Sequence, residues 1–335
     1  MTKTVGYDVG GAHLKVAVSE NGQVRAAIQI ACPLWQGLDQ LDTALAKAAH
    51  LTKGADRHAV TMTGELCEIF ATRHEGVVTL TRHLAAWLGP NTLFYMGLKG
   101  FGDAVAAASQ PDLVASANYL ATAQVIARSK PKCLLIDIGS TTTDIVACDR
   151  PQGHTDAERL QTGELVYTGF TRTPVPSVTT RAPLLGTRQG LARDAFATMA
   201  DVRRVLGALP DDVDTHATAD GRGRSQLESL QRLARGFGRD GELRHLEGWK
   251  AAAAYIREQQ LRSIHDGAIQ VLSRPGTDVS SGVVAAGVGA NEAHEIARRL
   301  GLNSIAFGDL IGAEPEVQLA ATRYAPAVAV AMLEQ

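Results

Sequence analysis

KCLLIDIGSTTTDIVACD, residues 132–149, reads as an apolar strand (133–138), a tight turn of small and hydroxyl residues (139–143) and a returning strand (144–147). The Ile, Leu and Val content predicts at least one buried face, while the turn between the strands carries almost no bulk. Such a turn can bring backbone N–H groups, notably those of Gly139 and Ser140, and the hydroxyls of Ser140, Thr141, Thr142 and Thr143 against an anion. Asp137 stands at its mouth, where a carboxylate can hold a hard cation. Phosphate together with Mg²⁺ is the expected guest.

The plan recurs at residues 4–19, TVGYDVGGAHLKVAVS, with Asp8 at the end of a strand, the small turn Gly10-Gly11-Ala12 and a second strand. Residues 282–291, GVVAAGVGAN, run an apolar strand into a turn containing Gly287 and Gly289 ahead of a helix, a placement that sets ligands against strand ends. One glycine turn would say little, because strand connections use Gly and Thr for geometric reasons alone. Two Asp-x-Gly turns followed by a late Gly-x-Gly, in that order, resemble the actin-like ATPase superfamily of sugar kinases, heat-shock chaperones and actin. The resemblance implies an α/β fold of two ribonuclease-H-like (actin-like ATPase) domains, with a helical insertion in the second.

The totals agree with that size. A chain of 335 residues is long enough for two cores. A net charge of −2, with both signs dispersed, favours neither nucleic acid nor an anionic membrane surface. The four cysteines are far apart, which reads as reduced packing residues without metal-site spacing. A first strand beginning near the N-terminus argues against a signal peptide, and no apolar run reaches the length of a membrane span, so a soluble cytoplasmic protein is expected.

Taken in order, residues 1–110 are expected to form the first domain and 111–130 a linking helix. Residues 131–310 form the second domain, with its insertion at about 194–272, and 311–335 a C-terminal helix. That last helix, apolar on much of its surface, must cover a domain or a second copy in a homodimer. Strand 58–62 ends at Thr63-Gly64-Glu65, so Glu65 is either a site residue or an acid in the first turn of a helix over 66–72. Asn118, in an apolar helix, is either a satisfied core amide or a ligand contact. Arg172 beside Thr173 follows a strand over 164–170 and suits a phosphate or carboxylate, or else is a loop arginine. The arginines at 222, 224, 232, 235 and 239 read as a hydrated helix face, and the histidines as scattered.

A finer resemblance rests on MTGEL (62–66), ASANYLAT (115–122), DIGSTTTDI (137–145), TGFTRTPV (168–175), FATMADV (196–202) and ATADGRGRS (217–225). These are similar to the hydantoinase/oxoprolinase-like proteins of tetrahydromethanopterin-linked C1 transfer. That family includes the condensing enzyme of methanofuran biosynthesis. Tyr119 departs from the Trp expected in that helix, a change that touches packing or substrate shape rather than chemistry. The resemblance implies a small-molecule transferase joining an aminomethylfuran methyl diphosphate to the phenol of a γ-glutamylated tyramine or tyrosine. In this scheme Asp8 and Asp137 hold Mg²⁺, and Gly10, Gly11, Gly139, Ser140, Thr141, Thr142, Gly287 and Gly289 cradle the diphosphate. Lys15 adds positive charge, Glu65 or Asp144 is the base, and Asn118, Arg172 and Thr173 hold substrate. The alternative is an ATP-dependent kinase or ATPase, since the same turns suit a nucleotide.

Overall fold

The turn at 139–142 and its counterpart at 10–12 each close the central hairpin of a separate sheet in the computed structural model, which describes residues 2–334. The first sheet contains β1 (Lys3–Val9), β2 (His13–Glu20), β3 (Gln23–Ala31), β4 (Arg57–Met62), β5 (Thr92–Tyr95) and β6 (Phe101–Gly102), in the order β3-β2-β1-β4-β5-β6. The second lobe begins with β7 (Leu134–Ile138), β8 (Thr143–Ala147) and β9 (Leu165–Val166). After a detached hairpin of β10 (Arg181–Leu184) and β11 (Thr187–Gly190), it adds β12 (Val283–Ala286) and β13 (Ser304–Ala306), giving β13-β12-β7-β8-β9.

The two sheets share one connectivity. β1 is antiparallel to β2 and parallel to β4, as β7 is antiparallel to β8 and parallel to β12. β7 is buried along its whole length and β1 along all but its first residue, as continuous Val, Ile and Leu runs require when both faces are covered. This is the two-domain α/β fold of the actin-like type that the repeated turn implied.

Helices account for the departures from the sequence reading. The linker expected as one helix is broken into Pro111–Val114 and Asn118–Ser129, with Ser116 between them at φ 50°. No helix forms over 66–72. A short turn at Gly64–Leu66 precedes a helix at Arg73–Leu88, whose N-cap Thr72 accepts from the Glu75 amide. The C-terminal segment splits into Pro315–Arg323 and Ala325–Leu333, and the second helix packs on the first lobe. There Gly6 permits the contact, since a Cβ would collide with the Ala327 carbonyl. One core runs through both lobes, joining Ala59 and Tyr95, Ile126 of the linking helix, Val328 of the last helix, and Leu135 and Val284 of the second sheet.

The insertion contributes Met199–Leu206, Gln226–Gly236 and the long helix Leu246–Leu272 around its own core. Arg232 is fully buried rather than hydrated. It bonds Asp201 Oδ1 at 2.9 Å and Asp220 Oδ1 at 3.0 Å, so it ties this lobe together internally. Among the described residues no helix is long and apolar enough to cross a membrane.

Candidate active site

Between the lobes lies a cavity of about 500 Å³ whose floor is made by the two glycine turns. The turns are built alike. Gly10 N–H donates to His13 O at 3.0 Å, and Gly139 N–H donates to Thr142 O at 2.9 Å. With those two amides engaged inside the turns, the turn N–H groups left without a protein acceptor among the described residues are those of Gly11, Ala12, Ser140, Thr141 and Thr142. A loop from 168 to 173 is strapped over the second turn. Phe170 N–H donates to Gly139 O at 2.8 Å and Arg172 N–H to Ser140 O at 2.9 Å. Gln260, on the long insertion helix, holds that loop from behind through Thr168 Oγ1 and Gly169 O, each at 2.7 Å.

The hairpin register sets the charges. Asp8 faces Lys15 across β1/β2, and at the matching place in the second lobe Asp137 faces Asp144 across β7/β8. Lys15 Nζ lies 2.7 Å from Asp8 Oδ2, and Asp8 is fully buried, so the cavity meets Lys15 and not Asp8. Burial works against the Lys15 charge, yet Asp8 more than offsets it and holds the ammonium above the usual lysine value. Asp137 and Asp144 both line the cavity. Burial, then the neighbouring Asp144 charge, pushes the Asp137 carboxyl up to about 8 against the pull of Lys15. Burial also raises Asp144, opposed by the Arg159 guanidinium in contact with it. Arg159 in turn lies 3.5 Å from the centroid of the Tyr119 ring, and Tyr119 donates its hydroxyl to Gly153 O at 2.6 Å. The Tyr119 departure is thus a packing position that carries Arg159.

Several expected site residues sit off the cavity wall. The N–H groups of Gly287 and Gly289 are taken by Thr322 O and Ile138 O, both at 2.9 Å, so neither is free for a phosphate. These glycines serve close approach instead. A Cβ at Gly287, where φ is 82°, would collide with Asp137 Oδ1 and Ile138 O. Thr173 is buried, and its Oγ1 accepts from Gly169 N at 2.8 Å, which pins the loop rather than reaching a ligand. Glu65 is fully buried behind the wall. Asn118 and Arg172 do reach the cavity.

Glu65 belongs to a network the sequence did not disclose. Ser116 Oγ is 2.7 Å from Glu65 Oε1 and 3.2 Å from Asp156 Oδ2, and Arg73 reaches both carboxylates at 3.4 Å. One hydroxyl carries one proton and cannot donate to two carboxylates at once. A proton on Glu65 completes the set, with Glu65 donating to Ser116 and Ser116 donating to Asp156. Burial raises the Glu65 carboxyl in that direction, against Ser116 and Arg73. Asp156 faces the cavity, whereas Glu65 does not. Ser116 was hidden by the expectation of an unbroken helix, and Asp156 and Arg159 lie in a segment, Asp156–Thr162, with no motif of its own.

The raised Glu65 has a consequence for stability. Below the unfolded-chain value, roughly 4.3, both states are protonated and the group is neutral to folding. As pH rises past that value the unfolded chain releases its proton first, so folding loses stability. Glu65→Gln should therefore raise Tm at pH 8, with the gain vanishing below about pH 4. Thermal unfolding of both proteins across that range checks it; a gain independent of pH would remove the explanation.

The hydantoinase/oxoprolinase family profile matches residues 56–327, a span holding the second Asp-x-Gly turn, Ser116, Asp156 and Arg172. A protein of Methanocaldococcus jannaschii named (4-{4-[2-(gamma-L-glutamylamino)ethyl]phenoxymethyl}furan-2-yl)methanamine synthase is 31% identical over 244 residues, covering 71% of this chain and 72% of its own. The protein of that name from Methanococcus vannielii is 32% identical over 106 residues, 31% of this chain and 48% of its own. Among solved structures, nucleotide-free acetone carboxylase superposes with a TM-score of 0.54 at 10% identity, over 89% of this chain and 67% of that one, a likeness of fold alone. With most of the chain, and nearly every cavity-lining element after β3, inside the matched span, the protein belongs to the hydantoinase/oxoprolinase family.

Proposed function

We propose that this protein is a transferase of methanofuran-type cofactor biosynthesis. It joins an aminomethylfuran methyl diphosphate to the phenol of a γ-glutamylated tyramine or tyrosine and releases diphosphate. The observation that carries the reading is the 31% identity to a synthase whose name prints a phenoxymethylfuran ether as its product. The cavity suits such chemistry. In the reaction the phenol oxygen bonds to the furfuryl carbon while the carbon–oxygen bond to diphosphate breaks, its electron pair leaving with the diphosphate. The phenol proton goes to a base.

Lys15 and the free amides of Gly11, Ala12, Ser140, Thr141 and Thr142 line the cavity and would bind the diphosphate and stabilise the charge it gains on leaving. Residues present on the floor also fit a hard divalent cation. Asp137 and Asp144 are oxygen donors side by side, and Asp137 has no counter-ion within ion-pair distance among the described residues. Two carboxylates are as many as Mg²⁺ usually takes from a protein, since it keeps several of its waters. When bound there, Mg²⁺ would neutralise charge on the departing diphosphate. Asp8, engaged by Lys15 and off the cavity wall, is a positioning residue for that lysine rather than a ligand.

Asp156 is the base in this reading, in place of Glu65 or Asp144. It faces the cavity, while Ser116 and the buried Glu65 orient it from behind; Arg159 lies 3.7 Å from it but 2.5 Å from Asp144, so Asp144 is the more tightly held of the two. An ordinary phenol has a pKa of about 10, so a base is needed near neutrality. Asp156→Asn should lower turnover about 100-fold, the low end of general-base effects. A fluorinated, more acidic phenol should recover part of that loss, which a purely structural role would not allow.

Mass spectrometry of a mixture of protein, Mg²⁺, the furan diphosphate and γ-glutamyltyramine, with no nucleotide, tests the function. Formation of the aryl ether with one diphosphate per ether is the expected result. Absence of the ether, together with hydrolysis of ATP in a parallel mixture lacking the furan, would overturn it in favour of a kinase or ATPase.

A further inference from the structure

Arg172, Trp35 and His13 line one wall of the cavity and His216 packs behind them, the four side chains coming from four separate segments. Arg172 lies with its guanidinium carbon 4.7 Å from the Trp35 ring centroid. Trp35 lies 5.7 Å from His216, and His216 meets His13 edge-on at 4.3 Å. His13 opens β2 in the first lobe, Trp35 sits in the turn Leu34–Gln36, Arg172 follows β9, and His216 comes from the insertion. The insertion therefore reaches across to the first lobe at this point.

Among the described residues three nitrogens in this group are buried and have no hydrogen-bond partner: Nε2 of His13, Nε2 of His216 and Nη1 of Arg172. His13 is only 3% exposed, so water does not relieve it. Buried polar atoms in native proteins are nearly always bonded, and three orphans in one cluster mark a place completed by a ligand. The cluster also holds a cation on which the Asp214 and Glu68 carboxylates act only from beyond ion-pair distance. Among the described residues no carboxylate forms an ion pair with Arg172, and Asp214, in the same loop as His216, is engaged by Arg204 at 2.5 Å. Burial lowers Arg172, and burial, then Arg172 beside it, lowers His216 to about 4. Burial, then His216, lowers His13 to about 2. Both imidazoles are thus neutral at physiological pH; His216 gives its one N–H to the Ala12 carbonyl, and His13 can donate from the tautomer protonated at Nε2.

We propose that Arg172 and His13, with Trp35 beside them and His216 behind, form a subsite for a carboxylate on the phenolic acceptor, next to the glycine turns that hold the diphosphate. The inference deepens the proposed function and rests on its assignment of a carboxylate-bearing acceptor. One cation and one neutral donor suit a singly charged planar group, which a guanidinium can grip in bidentate fashion. The insertion then acts in specificity through His216, which packs edge-on against His13 and bonds the Ala12 carbonyl.

Titration calorimetry of the full-length protein with γ-glutamyltyramine, its α-carboxamide and tyramine tests this without requiring turnover. γ-Glutamyltyramine should bind at least tenfold tighter than either of the others. Arg172→Met should erase the preference, and His216→Phe, which keeps an aromatic ring, should reduce it several-fold. Equal binding of acid and carboxamide by the unmodified protein would overturn the subsite, as would an undiminished preference in a folded Arg172→Met. A protein that discriminates the carboxylate yet forms no ether would contradict the proposed reaction and leave the subsite standing. Ether formation without such discrimination would do the reverse.

Discussion

Asp137→Asn is expected to lower ether formation about 1000-fold while the protein stays folded. Asp137 lies at the end of a fully buried strand and faces Asp144, another carboxylate, with no cation of its own within ion-pair distance among the described residues. Burial and that neighbour push it up to about 8, so the fold gains nothing from its charge. A folded protein that keeps a carboxylate in so costly a position has a use for it in the reaction. Asparagine is near-isosteric, so the melting temperature should hold or rise while product disappears. Circular dichroism and mass spectrometry on one preparation separate the two effects. Activity within tenfold of the parent would remove Asp137 from the chemistry.

Lys15→Met should have the largest effect on stability. It leaves Asp8 buried with no partner for either oxygen, since Oδ2 is bonded to Lys15 and Oδ1 already lacks a donor. Removing one member of a buried pair costs about 3–5 kcal/mol. Lys15 is partly exposed on the cavity side, so the lower end of that range is expected. The double substitution Asp8→Asn/Lys15→Met should recover most of the stability and none of the activity, because the positive charge that meets the diphosphate is still gone. Urea unfolding of the parent, both single variants and the double variant closes the cycle. If Lys15→Met is as stable as the parent, the pair is not what holds Asp8 inside.

Much of the architecture was legible because its signal is local. An apolar run, an Asp, a Gly turn and a second apolar run within 16 residues specify a hairpin, and the second copy specifies a second sheet of the same plan. The seven-residue spacing from Asp8 to Lys15 and from Asp137 to Asp144 even fixes which side chains face each other across each hairpin. The glycines near the end were legible as glycines but not in their role. Nothing in GVG tells whether an amide points to a ligand or to Thr322 O, because that depends on a helix more than 30 residues away in the sequence.

The proposed base and the proposed carboxylate subsite were not legible for the same reason. Ser116 meets Glu65 and Asp156 from 51 and 40 residues away, and it does so only because the linking helix breaks at φ 50°. His13, Trp35, Arg172 and His216 carry no common spacing. By itself the sequence determined the repeated hairpin, the two sheets and the carboxylates of the floor, since each is set by residues that are neighbours along the chain. Only the tertiary structure decided which acid faces the cavity, which amides remain free and which nitrogens lack partners. Those properties belong to groups that burial brings together from distant segments, and burial is a property of the closed fold.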